Sequence, residues 1–194
     1  MDRREALKRA ALIMGGIISA PTVAAILNGC KAKPTIDWKP ELFTQDQGVL
    51  ISEVAEIIIP KTDTPGAKET GVPGFIDLMV KDVFTKEERD WFMDGMKKFD
   101  EEAAKEYGDP FIELDGEQQH AFVKKIHDQA INDQKKGPAS ALSFILKTKE
   151  LTVVGFFTSE AGATKVLQYE AVPGAYHGCL PLAETGNGKT WATS

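Results

Sequence analysis

Cysteine, histidine and strand-like alternation are scarce in this chain, and each shortage closes off a class of chemistry. Two cysteines make no Cys-x-x-Cys-His haem attachment and no metal-type Cys/His cluster. Of three histidines, His120 and His127 lie seven residues apart. Two helical turns separate such residues by about 10 Å, too far to share one metal, so they read as part of a solvated helix face. No Gly-x-Gly-x-x-Gly follows a strand, and no Gly-x-Ser-x-Gly elbow appears. An excess of basic residues is missing too. The formal net charge of −6 argues against a nucleic-acid partner. Glu87-Glu88 and Glu101-Glu102 read as charge runs on exposed helix faces, because acid/base pairs need a cleft. His177 beside Cys179 reads as part of a structural turn rather than an activated thiol. The residues therefore argue against catalysis by this chain alone, and no cofactor or metal site is expected in it.

The N-terminus holds a long uncharged run. Met1-Asp2-Arg3-Arg4-Glu5-Ala6-Leu7-Lys8 precedes an uncharged stretch from Ala10 to Leu27, followed by Asn28-Gly29-Cys30. Paired arginines, an apolar run and small residues before a processing site make an export signal. Arg3, Arg4, Leu7 and Lys8 sit in register with a twin-arginine signal, although Ala6 replaces its usual aromatic and Asp2 its hydroxyl residue. That route carries proteins already folded. Leu27-Asn28-Gly29-Cys30 resembles a lipoprotein box, in which Cys30 gains a lipid. An uncleaved anchor is the alternative, since Ala10–Leu27 could just span a bilayer, but Gly15, Gly16 and Pro21 weaken such a helix. Either way the folded part is expected outside the cytoplasm, on the periplasmic side, near a membrane. The chain thus divides into a signal at 1–29, a polar tether at 30–42 and one domain at 43–194. If Cys30 carries a lipid, Cys179 is left as the odd thiol of an exported protein.

The domain reads as an all-α bundle of about five helices. Thr44 with Gln47 caps the first, whose Leu50, Ile51, Val54, Ile57 and Ile58 follow helical spacing up to Pro60. Thr62-Asp63-Thr64-Pro65-Gly66-Ala67 reads as a connecting turn. The second helix starts near Val72-Pro73, with Phe75, Ile76, Leu78, Met79, Val80 and Val83 as its apolar face. Thr85 with Glu88 caps the third, lined by Trp91, Phe92, Met96, Phe99 and Ala103. Asp115 with Gln118 starts the fourth, carrying Phe122, Val123, Ile126 and Ile131. The fifth, from about Ala139 to Phe157, is the most apolar and is placed at the bundle's centre or on a partner surface. After Ser159 comes an irregular tail rich in Gly, Pro and aromatics, expected to lie on the bundle or on another chain.

Several segments together resemble the gluconate 2-dehydrogenase subunit 3 family. They are Ile58-Ile59-Pro60-Lys61-Thr62-Asp63-Thr64-Pro65-Gly66-Ala67, Gly71-Val72, Phe75-Ile76-Asp77, Phe156-Phe157-Thr158-Ser159-Glu160, and Tyr169, Pro173-Gly174, Tyr176 and Gly178-Cys179-Leu180-Pro181. The resemblance implies a small, non-catalytic subunit. It would pair with a large FAD flavoprotein of the glucose-methanol-choline type that oxidises a sugar or sugar acid, and carry that subunit across the membrane through the twin-arginine translocase. A cytochrome c subunit carrying haem, or another acceptor, would take the electrons. On this reading Phe156, Phe157, Tyr169 and Tyr176 are candidate anchors at the interface, and Cys179 a candidate intersubunit disulfide. The alternative is a free-standing exported lipoprotein that binds a ligand or another protein. The resemblance leaves the substrate open, since specificity would reside in the large subunit.

Overall fold

Thr44 and Thr85 start their helices by the same local chemistry. Gln47 N–H donates to Thr44 Oγ1 (3.3 Å), while Thr44 N–H donates back to Gln47 Oε1 (2.9 Å). Thr85 and Glu88 repeat the exchange, so two otherwise orphan N–H groups are satisfied at the start of each helix. A computed structural model describes residues 35–136, 143–172, 174–175, 178–184 and 188–192. The signal residues Arg3, Arg4, Leu7 and Lys8, the lipidation candidate Cys30, and Tyr176 and His177 lie outside the described residues.

Among the described residues five α-helices follow in order. They are α1 (Gln45–Ile58), α2 (Val72–Leu78), α3 (Lys86–Tyr107), α4 (Gly116–Lys136) and α5 (Phe144–Thr158). Among the described residues there is no strand, only an isolated parallel bridge between Gln168 and Trp191. The fold is an all-α bundle, as the periodicity predicts. Asp115 caps α4 through the Gln118 N–H at 2.9 Å, again as the sequence predicts. The fifth helix begins at Phe144, and its expected first residues, 139–142, lie outside the described residues. α5 packs against each of the other four helices, which gives the most apolar segment the central place.

Two expected faces are corrected. α2 runs on as a wider π-helical turn, Met79–Val83, which rotates the chain out of register with an α-helical stripe. Ile76 and Val80 remain buried, but Leu78 is exposed and Val83 is 63% exposed. On α3, Phe92, Met96, Phe99 and Ala103 are buried as expected, whereas Trp91 stands at the exposed edge of that stripe.

The core is aromatic at one end. Phe144 opens α5 and places its ring 5.0 Å from Phe92 and 5.5 Å from Phe99, both on α3. Phe99 in turn meets Phe122 of α4 at 4.9 Å and Phe111 of the short 3₁₀ turn Phe111–Glu113 at 5.1 Å. Edge and tilted contacts of this kind add about 0.5–1.5 kcal/mol each beyond area burial. At the other end α2 and α5 approach closely. A Cβ at Gly155 would lie 2.6 Å from Phe75 Cδ1, so any larger residue there forces the Phe75 ring to move.

Candidate functional site

The Lys61–Ala67 turn is built around one carboxylate. Glu56, on the last turn of α1, accepts the Lys61 N–H on Oε1 (3.0 Å) and the Lys68 N–H on Oε2 (2.9 Å). The Ala67 N–H closes the turn on the Ile59 carbonyl at 2.9 Å. Gly66 faces the same carboxylate, and a Cβ there would sit 2.3 Å from Glu56 Oε1. Lys68 pairs with Glu53 at 2.7 Å and Lys61 with Glu69, so both flanks are fastened. The segment acts as a connecting turn, and its Thr-Asp-Thr-Pro-Gly-Ala pattern supplies turn chemistry.

A second carboxylate holds the segment before α1. Asp77 of α2 is 1% exposed, and it accepts N–H groups from Glu41 (2.6 Å), Leu42 (3.2 Å) and Phe43 (2.8 Å). Three successive backbone donors around one buried carboxylate satisfy its charge and fix the path into α1. The partners are more than 30 residues apart, so no local pattern announced the contact.

The proposed anchors separate by burial. Phe156 is 2% exposed and belongs to the core, so the structure corrects its reading as a surface anchor. It stacks edge-on with Phe157 at 5.2 Å, and Phe157 is half-buried against the core. Tyr169 is 54% exposed, and Cys179 is a free, exposed thiol. The C-terminal segment returns to its own start: the Gln168 N–H donates to the Thr190 carbonyl, and the Ala192 N–H donates to the Gln168 carbonyl, each at 2.8 Å. Beyond this clasp Tyr169, Val172, Leu180, Leu182 and Trp191 expose apolar side chains. On α5, Val153 and Val154 do the same.

His120 is exposed and His127 partly exposed on one face of α4, in keeping with the solvated helix face read from the sequence. His120 and His127 line one groove of about 210 Å³, between α4, the end of α1 and the first turns of α5. Its floor is aliphatic, made by Ile57, Ile58, Val123 and Ile145, and its remaining lining residues are Lys124 and Lys149. The polar groups form a chain of hydrogen bonds. The Lys149 ammonium donates to His127 Nε2 (3.0 Å), and the pairing assigns the ring proton to Nδ1, which faces Asp128 Oδ1 (3.3 Å). Asp128 Oδ2 accepts from Lys124 at 2.6 Å. Bonds from Lys124 and then His127 hold the Asp128 carboxyl below its ordinary range. Among the described residues no group of three or more His, Cys, Asp or Glu is arranged to hold a metal ion. The sequence held the i, i+4, i+7 spacing of His120, Lys124 and His127 on one face. Lys149 and the aliphatic floor come from other helices, so the groove itself was not readable.

Residues 45–174 match the family model described as gluconate 2-dehydrogenase subunit 3. The chain belongs to that family. No curated protein and no solved structure matches it. The matched span of this subunit 3 protein begins at the first residue of α1 and runs through all five helices into the tail. It includes the Glu56-centred turn, Asp77, the His/Lys groove and Tyr169. Cys179 and the returning end of the tail lie past it. Membership makes the chain a subunit of a dehydrogenase complex, with other subunits as partners.

Proposed function

We propose that this chain is the non-catalytic small subunit of an exported FAD-dependent dehydrogenase of the glucose-methanol-choline type, acting on a sugar or sugar acid. It escorts the flavoprotein through the twin-arginine route, stabilises it, and tethers it to the membrane through a lipid on Cys30. Electrons leave the flavin for a cytochrome c subunit or another acceptor. The family match over the whole helical domain carries this reading. The N-terminal Arg3-Arg4 pair and the Leu27–Cys30 box support the escort and tether roles. Val153 and Val154 on α5 and Tyr169, Val172, Leu180 and Leu182 in the tail are exposed apolar side chains that a partner chain would bury. Phe157 and Tyr169 stay as anchors, Tyr176 joins them from the sequence, and Cys179 offers an exposed thiol for an intersubunit disulfide.

Purification of the tagged full-length chain from its native membranes tests the reading. The expected eluate contains a stoichiometric large subunit with a flavin absorbance spectrum. A colourless single chain would overturn the proposal in favour of a solitary exported lipoprotein. Non-reducing gels of the same eluate test the disulfide: Cys179→Ser removes the high-mass band, and persistence of that band refutes the link.

A further inference from the structure

The groove over α1, α4 and α5 has a composition that the rest of the surface does not lead one to expect. The chain is acidic, with a formal net charge of −6, yet no carboxylate lines this groove. Its polar rim is made only of nitrogen-bearing groups, His120, Lys124, His127 and Lys149. Among the described residues, the carboxylate bonded to that rim is Asp128, which is taken up by Lys124 and His127. With the His127 ring neutral, the connected set Lys124–Asp128–His127–Lys149 keeps a net positive charge. Each ammonium carries three donors, and Lys124 and Lys149 each spend one within the set. The His127 ring fixes the Lys149 head at the groove's edge, which lowers the entropy lost on meeting a ligand. Beneath them lies an aliphatic floor. A ligand complementary to both layers carries an aliphatic group with negative charge beside it.

We propose that this groove is a docking site for an acidic segment of the large subunit, which seats an aliphatic side chain on the Ile57, Ile58, Val123 and Ile145 floor and sets flanking carboxylates against Lys124 and Lys149. The inference rests on the accessory-subunit reading and deepens it by naming the chemistry of the partner contact. It places a charged contact on the opposite flank of α5's sequence from Val153 and Val154, so that the first turns of α5 use charge and its later turns use apolar contact. Charge pairs at such a site govern partner choice and association rate more than total buried area does.

The test is co-purification of the large subunit with the tagged full-length chain, both expressed together. Lys124→Glu with Lys149→Glu is expected to lower recovery of the large subunit at least tenfold, about the effect of replacing attraction by repulsion at two positions. Lys97→Glu, which reverses a charge on exposed α3, is expected to leave recovery unchanged. Lys124→Arg with Lys149→Arg keeps the charge and is expected to keep most of the binding, and far-UV circular dichroism of each purified chain separates lost docking from lost fold. Recovery equal to wild type in the folded double reversal overturns the groove proposal and leaves the accessory reading standing. A wild-type chain that recovers no large subunit overturns both. Light scattering that shows a dimer of this chain, broken by the double reversal, overturns the proposal in favour of a second copy as the occupant.

Discussion

The Glu56 carboxylate occupies the space that a side chain at position 66 would need: a Cβ on Gly66 would lie 2.3 Å from Oε1 and 2.6 Å from Oε2. The same oxygens receive the Lys61 and Lys68 backbone N–H groups, so the turn is wound tightly on its acceptor. Gly66→Ala therefore forces that carboxylate off its donors. It is expected to cost about 1–3 kcal/mol of unfolding free energy, the usual scale of overpacking. In a Glu56→Ala background the obstacle is gone, and Gly66→Ala should then cost at least about 0.5 kcal/mol less, the scale of coupling between contacting residues. Urea unfolding of the four proteins in the cycle measures the difference. Strict additivity would show that the turn does not depend on this contact.

Asp77 ties the 41–43 backbone to α2 from a site closed to water. Asp77→Asn keeps the shape but removes the charge, and its amide places N–H groups against N–H donors. At least one buried donor then loses its acceptor, at a cost of about 1–3 kcal/mol. The structural consequence is local release of the segment ahead of α1. Limited proteolysis should cut Asp77→Asn faster between residues 35 and 44 than wild type. Identical cleavage rates and identical stability would contradict the clasp.

The Glu88 carboxyl is held below its ordinary value of 4.5, chiefly by the Thr85 backbone N–H and then by the Thr85 hydroxyl. A depressed folded-state pKa means that the contribution is fully present above the unfolded value and fades as pH falls through the lowered one. Glu88→Gln preserves the cap's hydrogen-bonding shape without the charge. Its Tm is expected to lie below wild type at pH 7, with the gap closing as the pH is taken well below 4.5. A gap that is equal at both ends of this range would separate the cap's stability from the ionisation of Glu88.

How much of this was legible depended on distance along the chain. Thr44, Thr85 and Asp115 were readable as caps because their partners lie three residues on. Five helices were readable because burial imposes a period. α5 resisted further reading, since its apolar residues do not gather on one face. That is why Phe156, buried, and Val153, exposed, looked alike in the sequence. The π-helical turn at Met79–Val83 shifted Val83 off the stripe on which α-helical counting had put it. Nothing beside Glu56 or Asp77 in the sequence marked them as acceptors, and only tertiary structure supplied their donors. The groove needed Lys149 and Ile145 of α5 to be set beside His120 and His127 of α4. The spacing within α4 carried only half of that arrangement.

Thr148 and Thr152 sit one turn apart on α5, both with no exposed surface, and their hydroxyls have opposite fates. Thr152 Oγ1 donates to the Thr148 carbonyl at 2.7 Å. Thr148 Oγ1 is buried with no hydrogen-bond partner. A buried hydroxyl without a partner has lost its water contacts and gained nothing in exchange, whereas a methyl group of the same shape has no such cost. Thr148→Val is therefore expected to raise stability by about 1 kcal/mol, even though it lies in the central helix of the bundle. Thr152→Val removes a satisfied bond and is expected to lower stability by about 0.5–1.5 kcal/mol. Both substitutions conserve β-branching, so helix propensity hardly enters the comparison. Chemical denaturation of the two variants decides the matter by the sign of each shift. A destabilised Thr148→Val protein would mean that its hydroxyl is engaged in the folded chain.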